Sequence, residues 1–275
     1  MKKIAYIILL SINLFPIGFD GFYIPSNPRE LSLSSTGVAS RNNIFLSSAN
    51  KINQSEVIGF CINRWIQDLQ GNSIYLRKNN YQFSFSSIGT NEIELRDNVP
   101  SDEPLSMIGA HLLSVEVSRY FLLSNQISIG VGSNLNYLKL FRDKSTSSTL
   151  HIGIKFLLSE KISLAQTVKN ISSNKDIPAL YTLGLSYYQP KTKTEILLDC
   201  KYSDEYKMGF HFGVSQAIGG LAFNYGYSKY ENYKTTMSGG FNFKISNSAR
   251  FLYSILSIQK SNLGIAHSFG VEFSL

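Results

Sequence analysis

Several things are scarce in this 275-residue chain, and each scarcity removes a class of protein. Long apolar runs are missing: Ile4 to Phe15 is short of the roughly twenty residues that a membrane-spanning helix needs. Charged residues make up 16%, below the roughly 25% of an average soluble domain. There are two cysteines, Cys61 and Cys200. Cys61 shares strand parity with Gly59 and Asn63, and Cys200 with Ile196 and Leu198. They fall on opposite faces and should stay unbridged, as small hydrophobes. The four histidines, 111, 151, 211 and 267, have no spacing that suits zinc. No Gly-x-Ser-x-Gly, P-loop or dinucleotide fingerprint occurs, so no enzyme, metal or cofactor is expected. The net charge of +7 is not gathered into a basic cluster with interleaved aromatics, which argues against nucleic acid as a partner.

What is present is alternation. In Gly264 to Leu275, Ile265, His267, Phe269, Val271, Phe273 and Leu275 fall on one side, and Ala266, Ser268, Gly270, Glu272 and Ser274 on the other. Successive strand side chains point to opposite faces, so this is a strand with one greasy and one polar face. The same pattern sets in after Gln54 and persists. Strands are read near 56–65, 72–78, 80–88, 111–121, 126–141, 148–158, 161–170, 179–189, 193–203, 206–217, 220–229, 234–245, 249–258 and 264–275. That is roughly fourteen, an even number, as bacterial single-chain barrels have.

The two faces differ in size as well as polarity. Met208, Phe210, Phe212 and Val214 oppose Gly209, His211, Gly213 and Ser215; Leu221, Phe223, Tyr225 and Tyr227 oppose Ala222, Asn224, Gly226 and Ser228. Large residues outside and small ones inside describe a transmembrane antiparallel β-barrel, whose mean hydropathy stays near zero because its strands are half polar. A soluble β-sandwich would reverse the faces and put glycine toward water, where it is a poor choice. Fourteen strands place both ends of the barrel at the side of the short turns, with longer connections at 89–110, 142–147, 171–178 and 229–233 opposite. The longest, Gly89 to Gly109, carries Glu92, Glu94, Asp97, Asp102 and Glu103, read as a solvated charge run rather than a calcium site.

The chain divides into three. Residues 1–21 have a basic start and an apolar core and read as a secretory signal peptide cleaved within 18–22, an uncleaved anchor being the alternative. Residues 22–55 alternate poorly and contain Pro25, Pro28 and a small-residue run from Leu31 to Ser40. They read as short helices or turns forming a plug-like segment in or under the lumen. Residues 56–275 form the barrel. Inward candidates on its polar face are Asn134, Asn136, Lys155, His211, Asn224, Asn242 and Glu272, the last expected to pair with a lumen Lys or Arg.

Two resemblances follow from particular residues. Ser268, Gly270, Phe273 and Leu275 fill, in register, a pattern that resembles the terminal insertion signal of bacterial outer-membrane barrels. That implies the outer membrane, with its lipid, lipopolysaccharide and barrel-assembly machinery, as surroundings and partners. Arg29, Gly37, Ala39 and the Ser48-Ala49-Asn50 stretch resemble the segment that follows the signal peptide in the PorV/PorQ family, and more distantly in FadL-like transporters. The likeness continues through Trp65, Asp68, Asn72-Ser73-Ile74, Phe83 to Gly89 and the Gly130–Tyr137 strand. The chain departs from the family where Ser34 and Ser35 replace glycines, Asn42-Asn43 replace acidic residues, and an Asn-Pro-Ala-Gly is missing. The PorV/PorQ likeness implies a non-catalytic component of type IX-like protein secretion, with secretion-system components as partners. The FadL likeness implies instead a channel for a hydrophobic ligand, and a purely structural barrel is the third reading.

Overall fold

The computed structural model describes residues 25–41, 56–65, 69–95, 103–140, 143–172, 177–231, 235–259 and 265–275. The expected signal peptide, the cleavage site and Asn50 lie outside them. Fourteen antiparallel strands close on themselves: β1 (Val57–Arg64), β2 (Gln70–Lys78), β3 (Tyr81–Leu95), β4 (Ser106–Leu122), β5 (Ile127–Leu140), β6 (Asp143–Leu157), β7 (Ile162–Ile171), β8 (Leu180–Gln189), β9 (Thr194–Ser203), β10 (Lys207–Ile218), β11 (Leu221–Tyr230), β12 (Thr236–Lys244), β13 (Ala249–Ile258) and β14 (Ile265–Ser274). Each strand pairs with its sequence neighbours, and β14 pairs with β1 from Val57↔Ser274 to Arg64↔His267. Closure leaves no sheet edge unpaired in lipid, where an unsatisfied backbone group would cost several kcal/mol, on the order of a lost hydrogen bond.

Alternation decides which face is which. Outward side chains such as Phe210 (65% exposed) and Leu135 (60%) form the apolar wall, whereas inward Ser254 and Ser268 are wholly buried. Moving one large apolar side chain from water into the bilayer contributes about 1.5–3 kcal/mol, and this wall repeats that gain on every strand. Cys61 is buried on the inner face, Cys200 lies half-buried on the outer one, and both are free. β13 departs furthest from the small-inside rule, turning Leu252, Leu256 and Ile258 inward, while Tyr75, Leu112 and Leu197 are single large inward residues on β2, β4 and β9.

Strands β3 to β6 hold 15, 17, 14 and 15 residues, against 8 to 12 in the others. This corrects two sequence expectations. The long connection 89–110 shrinks to 96–105, because Ile93–Leu95 pair with Ser106–Ile108 beyond a bulge after Thr90. The connection 142–147 is absorbed into β6, which begins at Asp143. Asp143–Ser147 hold no apolar residue, so backbone pairing continues there after the hydrophobic alternation has stopped, whereas Ile93–Leu95 alternate again only past the bulge, out of phase with the strand before it.

Candidate functional site

Residues 25–41 lie inside the barrel against its inner wall. They begin with helix α1 (Pro28–Ser32), whose start the sequence specifies: Asn27 is the N-cap, its Oδ1 accepting from Glu30 N at 2.9 Å, and Pro28 opens the first turn. Beyond the helix the chain turns through Ser34 (φ 48°), Ser35 (φ 57°) and Gly37 (φ 113°). The last of these values is one that only glycine adopts without strain.

Five inward glycines form the seat. A Cβ on Gly184 would strike Val38; on Gly213 it would come within 3.3 Å of Thr36 Cβ; on Gly226, within 2.5 Å of Ser34 N; on Gly240, within 2.7 Å of Ser32 Cβ; on Gly270, within 3.1 Å of Pro28 Cγ. These glycines stand on β8, β10, β11, β12 and β14, and Gly213 and Gly226 are direct cross-strand partners. Together they make a trough running round the wall.

Hydrogen-bonding side chains fasten the segment in that trough by its main chain. Asp199 Oδ2 accepts from Gly37 N (2.7 Å) and Val38 N (3.1 Å), and Glu195 Oε1 from Arg41 N (2.8 Å). Lys155 Nζ donates to Ser40 O (2.8 Å), Ser163 Oγ to Ala39 O (2.7 Å), His211 Nδ1 to Ser34 O (2.9 Å), and Lys201 Nζ to Ser35 O. Seven main-chain groups between Ser34 and Arg41 are held this way. At the other end Ser26 O accepts from Asn63 Nδ2 (3.1 Å) and Ser73 Oγ (2.5 Å). The bonds made by Asp199, Glu195, Lys155 and Lys201 are the charge-assisted ones, a class about twice as strong as neutral hydrogen bonds.

Helix α1 brings an apolar side chain to the outer end of the lumen. Leu31 packs with Leu256, Ile258 and Ala266, and Trp65 closes the cluster from β1's end. The helix also carries two half-buried charges. Burial raises the Glu30 carboxyl, against the pull of Lys169 and Lys201; burial lowers the Arg29 guanidinium, against Glu272 and Glu195. Beside it, Glu272 accepts from Tyr75 Oη at 2.6 Å and lies 3.5 Å from Arg250 Nη1.

The sequence candidates distribute as follows. Lys155 and His211 hold the segment, and Glu272 meets Tyr75 and Arg250. Asn136, buried, accepts from Ser114 Oγ at 2.7 Å. Asn134 Oδ1 and both side-chain polar atoms of Asn224 have no partner among the described residues, and Asn242 is buried on β12. In the segment, Gly37 and Ala39 make main-chain bonds, and Arg29 Nε is buried without a partner among the described residues. Of the terminal signal, Ser268 Oγ donates to Asn63 and Gly270 lies under Pro28, while Phe273 and Leu275 are exposed outward. Sequence reasoning missed Glu195, Asp199 and Lys201. They were findable, since all three sit on inward parity of β9, a strand whose outward neighbours include Ile196 and Leu198.

No family model matches the chain, and neither does any curated protein sequence. Solved structures do. The CymD monoaromatic hydrocarbon channel superposes with a TM-score of 0.66 at 13% identity, covering 96% of this chain and 98% of CymD. The toluene transporter TbuX of Ralstonia pickettii gives 0.60 at 9%, covering 96% and 100%. The toluene transporter TodX of P. putida gives 0.60 at 10%, covering 96% and 99%. The chain is therefore a transmembrane β-barrel with the fold of these channels.

Proposed function

We propose that the protein is a non-catalytic outer-membrane channel that admits small hydrophobic molecules past a plug formed by residues 25–41. The observation that carries this reading is the apolar cluster of Leu31, Leu256, Ile258, Ala266 and Trp65 at the outer end of the lumen. A ligand site of this kind needs an apolar lining with a few polar anchors. The similar solved structures are hydrocarbon channels, which favours this reading over the secretion role implied by the PorV/PorQ likeness.

The test is uptake of a monoaromatic hydrocarbon by cells that produce the full-length protein. Uptake should exceed that of cells without it, and Leu256→Asp should reduce it about tenfold while the barrel keeps its heat-modifiable gel mobility. A rate equal to that of cells lacking the protein, with the folded barrel present in the outer membrane, would overturn the reading.

A further inference from the structure

The outer wall carries a second arrangement, unrelated to the lumen. On β4, β5 and β6 the two carboxylate residues with described side chains, Glu116 and Asp143, fall on inward parity, and outward positions hold no acid. Three outward basic residues there form a row in register. His111 is the cross-strand partner of Lys139, and Lys139 is the partner of Lys144. The row lies at the end opposite the short turns, one outward position above Leu113, Tyr137 and Thr146, which are likewise in register. Below it run Val115 and Leu135, exposed to the bilayer.

Cross-strand partners hold their Cβ atoms about 4.5–5.5 Å apart, and like charges at that distance repel. No carboxylate among the described residues lies within ion-pair distance of Lys139 or Lys144. His111 packs over Gly89, which extends the row to the edge of β3. Two facing lysines, at the height where an aromatic side chain marks the membrane boundary, present donors to an anion set at headgroup depth.

We propose that the row His111–Lys139–Lys144 binds the phosphate groups of a phosphorylated outer-leaflet glycolipid, whose acyl chains lie along the apolar wall beneath Tyr137. The bridging phosphate neutralises the Lys139–Lys144 repulsion, and the apolar wall supplies the contact that free phosphate lacks. The site is independent of what crosses the lumen.

The test uses the full-length protein in neutral detergent, with a bisphosphorylated glycolipid titrated by native mass spectrometry. Wild-type protein should retain it. Lys139→Gln combined with Lys144→Gln should weaken binding about tenfold. The dephosphorylated glycolipid should bind wild-type protein no better than the phosphorylated one binds the variant. Lys144→Gln alone, at an exposed position, is the variant least able to disturb folding and should weaken binding about threefold. Lys78→Gln, at the opposite rim, should leave binding unchanged. Equal affinity for the dephosphorylated lipid, or unchanged affinity in both Lys144 variants, would overturn the proposal. Displacement of the lipid by low-millimolar inorganic phosphate would overturn it too, assigning the row to a free anion.

Discussion

Along β8 to β14 the inner wall is a trough of glycines edged by hydrogen-bonding side chains, and residues 25–41 lie in it. Along β3 to β5 the inner wall is built differently. Gln82, Ser118 and Asn136 are buried there, Ser114 and Asn136 bond to one another within the wall, and Asn134 Oδ1 is left without a partner among the described residues. The first wall is specialised to hold a piece of the protein's own chain. The second has polar groups to spare and strands that rise beyond the membrane. The barrel thus gives the seating of the segment to one arc of its sheet and builds the other arc without it.

Substitutions separate the two walls. The largest effect should come from Gly226→Val, whose side chain would enter the space of Leu33 and Ser34. Because backbone must move, seating of residues 25–41 should weaken by about 3 kcal/mol or fail. Protease sensitivity of the segment should rise sharply while heat-modifiable mobility is kept. Gly239→Ala, whose Cβ would come no nearer than 3.8 Å to Asn224 O, should change nothing. Next is Leu31→Ala, expected to cost about 2–4 kcal/mol of seating. Trp65, the only tryptophan, packs on Leu31's cluster, so its emission should shift to the red.

Asp199→Asn should follow at about 1–3 kcal/mol, since it replaces a charged acceptor of two main-chain N–H groups by a neutral one. Hydrogen exchange at Gly37 and Val38 should accelerate in proportion. A smaller effect is expected for the Glu272–Arg250 pair, where 3.5 Å and a part-exposed arginine limit the coupling to about 1 kcal/mol. The double charge swap should recover part of the stability lost in each single variant, measured by thermal unfolding. Smallest of all is Asn134→Ala on the other wall, which removes an oxygen with no partner among the described residues; stability should change by less than about 0.5 kcal/mol. An effect there larger than that of Leu31→Ala would erase the distinction between the walls.

The barrel was legible because lipid outside and packed polar groups inside impose a period of two on each strand. It stopped being legible at Asp143–Ser147, where no apolar residue marks either face, and at Ile93–Leu95, which follow the bulge after Thr90 and so fall out of phase with the strand before it. Lys155, His211 and Glu272 could be placed inward by parity. What they hold could not be read, because a main-chain carbonyl leaves no mark on the sequence. Gly213 and Gly226 read only as small inward residues; that they make room for Thr36 and Ser34 in particular depends on the folded segment. The apolar inner face of β13 was written plainly in Leu252, Leu256 and Ile258. Its meaning depended on Leu31, more than two hundred positions away.

That separation has a consequence for timing. Ser34 meets Ser238 across 204 positions, Gly37 meets Asp199 across 162, and Ser40 meets Glu195 across 155. The segment is synthesised before every strand that holds it, so its docking waits for the last third of the chain and loop-closure entropy makes it slow. A barrel whose β1 and β14 joined before the segment docked would close with its trough empty.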